Sequence, residues 1–234
     1  MAEFFWHAPP SSTGRYEVLP DARVDLVWIR GAAGDRLEVH GPATRRRWLE
    51  VEQGAAYAGV RLKPECAAAV LGREAWRAND CVLPSADLLG FAVHDFVRIH
   101  DLTTTVSTFS PVLRAVARRL HARAAWVRRA RRRIEGARGQ VRMEALADEL
   151  GLTLRTLQRV FRSEVGVTPK QYALIQRLED LAEQLRRGPV NWADLAADFG
   201  YADQAHLSRD LKRFTGYAPR AFATRVRAMP GGWV

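Results

Sequence analysis

Glu144-Ala-Leu-Ala-Asp-Glu-Leu-Gly151 and Asp194-Leu-Ala-Ala-Asp-Phe-Gly200 are two versions of one phrase. A second shared phrase follows each. In the first copy it is Leu157-Gln-Arg-Val-Phe-Arg-Ser-Glu-Val-Gly166, reaching Pro169; in the second it is Leu207-Ser-Arg-Asp-Leu-Lys-Arg-Phe-Thr-Gly216, reaching Pro219. Leu146 matches Leu195, Ala147 matches Ala196 and Gly151 matches Gly200 at an offset of 49. Leu157 matches Leu207, Arg159 matches Arg209, Gly166 matches Gly216 and Pro169 matches Pro219 at an offset of 50. The second copy therefore carries one extra residue in or just after its turn. A repeat constrains the fold before any other feature does. Two copies are too few for a solenoid, so a tandem pair of small units is expected.

Each copy reads as a helix-turn-helix. Leu146, Ala147 and Leu150 share one helical face, and the small Ala147 lets a second helix approach. Gly151 suits a left-handed turn, and Thr153 can cap the next helix. Leu154, Leu157, Val160 and Phe161 then give an apolar stripe at helical spacing. In the second copy Leu195, Ala196 and Phe199 lead to Gly200, Asp203 is the expected cap, and Leu207 and Leu211 form the stripe.

The residues left facing outward suit base reading. Arg can donate twice to guanine O6 and N7, and Gln can pair both ways with adenine. A recognition helix offers its N-terminal half to the major groove, which is where Arg155, Gln158 and Arg159 fall. A solvated helix face would use the same residue types, but a duplicated cap, turn and Arg/Gln surface argues for DNA. Between the copies, Thr168-Pro169 opens a helix to about Arg187, with Tyr172, Ile175, Leu178, Leu181 and Leu185 recurring every three or four residues. Such a rod of roughly 25 Å would hold the two readers near one DNA turn, about 34 Å, apart.

Val141 to Arg225 resembles the DNA-binding domain of AraC/XylS-type transcriptional regulators. Gly200-Tyr-Ala-Asp-Gln-Ala-His-Leu-Ser-Arg209 and Phe214-Thr-Gly-Tyr-Ala-Pro219 carry the likeness. The resemblance implies two helix-turn-helix units on adjacent major-groove segments of one DNA face. By position it implies base contacts from Arg155, Gln158 and Arg159, and from Gln204, Ala205, His206, Ser208 and Arg209. Ala205 departs from the longer polar residues of some members and offers only a methyl. Thr153, Arg162, Lys170 and Lys212 are expected at phosphates. Double-stranded DNA is the partner; RNA polymerase, a small-molecule effector and a second copy are further candidates.

Charge agrees with this. The chain of 234 residues has a formal net charge of +10, and 24 of its 36 Lys and Arg, but only 12 of its 26 Asp and Glu, lie in 111–234. A basic half points to a polyanion; anionic lipid is the alternative that the repeat disfavours. No apolar run approaches the ~20 residues that span a bilayer. The N-terminus lacks an export signal, so a cytoplasmic setting is expected.

Residues 1–110 read as a β-rich domain, 111–140 as a helical linker and 141–234 as the double helix-turn-helix, an α+β chain overall. Strands are expected at Tyr16–Leu19, Val24–Ile29, Leu37–His40 and Ala55–Leu62, with a helix from Pro64 to Gly72, in a small sandwich or barrel. Leu19-Pro20-Asp21, Asp25-Leu26-Val27-Trp28 and Gly59-Val60-Arg61-Leu62-Lys63-Pro64 resemble cupin-like N-terminal domains of AraC-type regulators, which implies sensing or dimerisation. Metal-binding cupins place two histidines one residue apart; His7, His40, His94, His100, His121 and His206 do not. No metal, cofactor or enzymatic activity is expected. Trp28, Trp48 and Tyr57 could line an apolar effector pocket, although core packing would also account for aromatic residues here.

From Pro111 to Glu135 a helical pattern runs with Val112, Val116 and Leu120 in one row, then Trp126, Val127, Ala130 and Ile134. Arg128, Arg129, Arg131, Arg132 and Arg133 lie opposite. Gly136 to Gln140 is the expected hinge. Short helices are expected over Ser85–Gly90 and from Pro219 to about Arg227, with Met229–Val234 frayed. A different class stays open beside the regulator: a thiol-dependent enzyme using Cys66 or Cys81 on a DNA-binding module. A reactive thiol needs an electropositive, accessible setting, and Cys66 sits after Glu65 in an alanine-rich stretch.

Overall fold

The computed structural model describes residues 1–8, 14–85, 105–120 and 123–229. Within these, a β-rich N-terminal part precedes an all-helical C-terminal part. The expected helix beyond Ser85 and the fraying of 230–234 lie outside the described residues.

Seven strands come first: β1 (Ala2–Ala8), β2 (Arg15–Val18), β3 (Val24–Gly31), β4 (Gly34–His40), β5 (Arg47–Glu50), β6 (Ala56–Leu62) and β7 (Val82–Pro84). Five form an antiparallel sheet in the order β1-β6-β3-β4-β7, and β2 pairs with β5 in a separate ribbon. Strand alternation explains the layering. Leu26 and Trp28 of β3 join Val60 and Leu62 of β6 on one face. Val27 and Ile29 pack on the other, with Ala55, Trp6 and Tyr57. A 3-10 turn at Pro64–Cys66 leads into α1 (Ala67–Leu71), which stops at Gly72 with φ 82.

The helical pattern from Pro111 is two helices. α2 (Thr105–Arg119) starts six residues early and carries Pro111 inside it. The reason is Phe109, which is buried against the sheet with Val112 and Val116 and faces the Phe5 ring at 6.4 Å. α3 (Arg123–Gly136) turns Val127, Ala130 and Ile134 into the first helix-turn-helix core instead. Leu120 and Trp126, expected on these stripes, are exposed.

The two helix-turn-helix units follow. The first is α4 (Met143–Glu149) and α5 (Leu154–Val165); the second is α7 (Trp192–Asp198) and α8 (Gln204–Thr215). The spacer α6 (Pro169–Arg187) lies between them, and α9 (Pro219–Ala228) closes the second. Gly151 and Gly200 turn at φ 67 and 70. Four residues separate α4 from α5 and five separate α7 from α8, so the extra residue lies in the second turn. α6 opens with a capping box between Thr168 and Gln171.

The segment 136–140 is not a free hinge. Gly139 is buried at φ 71, and an added Cβ would collide with the Ala173 carbonyl. Its own carbonyl accepts from Arg177 of α6 at 3.0 Å, and the Gln140 side chain donates to the Asp198 carbonyl at 2.8 Å. Glycine is used here for a left-handed, tightly covered turn.

Candidate nucleic-acid interface

The second helix of each unit is built alike. Thr153 accepts from the Thr156 amide and Asp203 from the His206 amide, which satisfies a free N–H at each start. Each helix has 12 residues and ends on a left-handed glycine, Gly166 and Gly216. Leu157, Val160, Phe161 and Val165 bury one face of α5, and Leu207 and Leu211 bury one face of α8.

That burial leaves the Arg/Gln rows in solvent. Arg155, Gln158 and Arg159 are exposed on α5, as are Gln204, Ala205 and Arg209 on α8. Arg155, Arg159 and Arg209 form no ion pair among the described residues. His206 and Ser208 are half-buried. The His206 ring stands edge-on to Tyr201 at 5.2 Å and lies 3.9 Å from an Asp210 oxygen. The Ser208 hydroxyl donates to the Gln204 carbonyl at 2.7 Å, so its own helix already occupies it.

The expected phosphate residues divide in the same way. Lys170 and Lys212 are exposed. The Thr153 hydroxyl is engaged in its cap and donates to Thr156 Oγ1 at 2.9 Å. The Arg162 guanidinium lies 4.7 Å from the centre of the Trp76 ring, whose other cationic neighbour is Arg77 at 5.4 Å. Sequence reasoning did not foresee that a residue of the β-rich part would hold Arg162.

On α3, Arg128, Arg129, Arg132 and Arg133 are exposed. Arg131 is not part of that face. It is 12 % exposed and bridges Glu65 of the β-rich part at 2.9 Å and Glu135 at 2.6 Å.

The expected effector trio does not converge. Trp28 is 2 % exposed on the α2 side of the sheet, and Tyr57 packs on the opposite side, its hydroxyl accepting from the Glu52 amide at 2.8 Å. Trp48 is 51 % exposed on the β2–β5 ribbon. Strand parity separates the first two, since Tyr57 and Trp28 point to opposite faces.

Cys66 is 1 % exposed, and burial pushes its thiol up to about 11, with Glu65 adding to the shift. That is opposite to what activates a nucleophile. Cys81 is half-buried and donates to the Asn79 carbonyl at 3.3 Å. No cluster of His, Cys, Asp and Glu that could hold a metal comes together among the described residues.

A family model described as "Helix-turn-helix domain" matches residues 146–225. A second, "Domain of unknown function (DUF6597)", matches 2–84. The HTH-type transcriptional activator RhaS of Escherichia coli (strain SMS-3-5 / SECEC) is 27 % identical over 160 residues, 62 % of this chain and 55 % of the relative. RhaS of strain K12 / DH10B is 33 % identical over 81 residues, 35 % of this chain and 29 % of the relative. The chain thus spans 29 % to 55 % of the relatives' length in these matches. Among solved structures, ToxT from Vibrio cholerae matches at a TM-score of 0.50 with 11 % identity, covering 97 % of this chain and 98 % of ToxT. That likeness is one of fold, a β-rich part followed by a helical one. With two capped helix pairs flanking a spacer helix, the helical half is a double helix-turn-helix, matched by the helix-turn-helix family model and similar in sequence to these activators.

Proposed function

We propose that the chain is a transcriptional regulator that binds DNA sequence-specifically and reads two successive major-groove segments. The observation that carries this is the pair of matched helices whose apolar faces are used in packing while Arg155, Arg159 and Arg209 stay exposed and without a partner among the described residues. In this reading Arg155, Gln158, Arg159, Gln204, Ala205, His206 and Arg209 face bases. Ser208 contributes least because its hydroxyl is occupied. Lys170 and Lys212 neutralise phosphates, and Arg162, exposed beside the Trp76 ring, joins them. Phosphate contacts supply affinity and base contacts supply selectivity.

We place the boundary between the two parts at 120–122 rather than at 110. α2 packs with the sheet and α3 with the first helix-turn-helix. A small-molecule effector, a second copy and RNA polymerase are the further partners of this proposal, and the bacterial cytoplasm its setting. Among the described residues no helix is long and apolar enough to cross a membrane.

Selection of bound duplexes from random DNA tests the reading. A bipartite sequence should emerge, its halves about one helical turn apart. Binding should weaken linearly in log–log form with salt, by about 0.9 per neutralised phosphate. Lys170→Ala and Lys212→Ala should each flatten that slope by about one while leaving base preference intact. Recovery of no enriched sequence would overturn the proposal.

A further inference from the structure

Within the helical half, the two helix-turn-helix units have separate apolar cores. The spacer α6 contributes Ile175 to the first and Leu178 to the second. Apart from that apolar packing, Gln140 reaches the Asp198 carbonyl, and Arg177 of α6 meets both the Gly139 carbonyl and the Tyr201 ring. A rod with two independent knobs leaves the angle between the knobs weakly held.

The β-rich part supplies what is missing. Leu19 is 2 % exposed and lies in the second core, with Leu178, Leu195 and Phe222. Ala22, three positions later and fully buried, lies in the first core, with Ala147, Phe161 and Tyr172. Ala22 has φ 51, a strained value for a side chain with a Cβ. One short segment thus enters both cores.

Polar contacts fix the segment on each side. The fully buried Glu17 carboxylate accepts from the Tyr217 hydroxyl at 2.6 Å and from Arg225. Arg23 donates to Glu179 of α6 and to Glu3 of β1. The Asp21 amide donates to the Ala43 carbonyl at 3.0 Å, bracing the segment to its own domain.

The same domain also holds both reading helices at equivalent points of the repeat. The Asn79 amide side chain donates to the carbonyl of Gly166, the left-handed end of α5, at 2.9 Å. The Arg46 guanidinium lies against Gly216, the left-handed end of α8, and the Arg46 backbone amide donates to the Phe214 carbonyl at 3.0 Å. Gly166 and Gly216 are repeat partners.

We infer that residues 17–23 are a clip that sets the relative orientation of α5 and α8, and that Leu19 and Glu17 are positioning residues for the spacing of the two DNA segments. The β-rich part then acts on specificity directly, by fixing geometry, without touching a base. This rests on the proposed DNA reading. Its consequence is discrimination between half-site spacings, which a flexible pair of readers would lack.

Two measurements on the full chain test it. The first needs no DNA: nitroxide labels at Ala145→Cys and Asp194→Cys, equivalent exposed positions on α4 and α7, in a Cys81→Ser background. A narrow distance distribution is expected, broadening in Leu19→Ala and recovering in Leu19→Met. The second compares affinity for the selected duplex with that for the same duplex carrying one extra base pair between its halves. The unaltered chain should lose about tenfold or more on insertion, within the range of a site mismatch. Leu19→Ala and Glu17→Gln should lose less than about threefold while keeping the same base preference in each half. Thermal melts confirm that the variants are folded at the assay temperature. A distribution as narrow in Leu19→Ala as in the parent, or unchanged spacing discrimination in both variants, overturns the clip. Failure to select any sequence overturns the DNA reading, and the label distances then still decide the clip.

Discussion

Arg159 and Arg162 are three residues apart on one helix, yet they stand in different chemical situations. Arg159 is exposed and without an ion partner among the described residues, while Arg162 lies over an indole ring. Replacing Arg159 with Ala should remove discrimination of about 1–3 kcal/mol at particular base pairs. Competition binding against single-base operator variants reads this directly, and equal weakening on every sequence would contradict the assignment. Cys66 makes a second test at this scale. Burial pushes its thiol up to about 11, so the reactive thiolate is scarce at pH 8. Iodoacetamide should therefore modify Cys81 first in the native chain, and Cys66 only on unfolding, as peptide mass mapping would show. Rapid native labelling of Cys66 would reopen thiol chemistry. The exposure of Arg155, Gln158, Arg159 and Arg209 was legible from sequence because an amphipathic helix fixes which residues stay outside. The Arg162–Trp76 contact was not, since nothing near either residue announces a partner 86 positions away.

At the scale of elements, caps and turns carry much of the definition of α5 and α8. Asp203 satisfies the start of α8 through one hydrogen bond of 2.6 Å to the His206 amide. Asp203→Ala should cost about 1 kcal/mol, and Asp203→Asn a few tenths, in denaturant unfolding. A cost near zero for the alanine would mean that packing alone sets the helix start. The helix-turn-helix units were readable because their signals are local: a glycine that turns left-handed, a capping oxygen, and apolar residues at helical spacing. Strands were read less well. β1 was not among the expected strands, and its strand identity comes from pairing with β6, over fifty residues later. Tyr16–Leu19 was expected to be one strand, but Leu19 leaves it because the apolar site that accepts it belongs to distant helices. Pro111 suggested a helix start, whereas the demand to bury Phe109 carried α2 back to Thr105.

Across the whole molecule, the contact between the two parts is rich in charge, and this gives it a pH dependence. Burial pushes the Glu179 carboxyl up from 4.5 to about 7 despite Arg23 beside it. Between those values the folded chain keeps a proton that the unfolded chain releases. The contribution of Glu179 to stability therefore falls as pH rises from about 4.5 to about 7 and levels off above. Glu179→Gln carries a neutral side chain at every pH. Its stability relative to the unaltered chain should thus rise by about 1–3 kcal/mol across that window. Chemical denaturation at several pH values would show a flat difference if the carboxyl ionises normally in the fold. Overall charge asymmetry and the domain order could be read from composition, but the depth to which the two parts interpenetrate could not. Glu17 and Arg225 are polar residues separated by 208 positions, and only the folded chain brings them into contact.

That separation bears on how the molecule is made. A ribosome releases the β-rich part well before the helices, and domains tend to fold as they emerge. Until α9 has left the exit tunnel, Glu17 lacks Arg225, and the apolar site of Leu19 lacks Phe222, Ala223 and Val226. The nascent chain thus carries an open seam down its length, and among the described elements the last helix synthesised is the one that closes it.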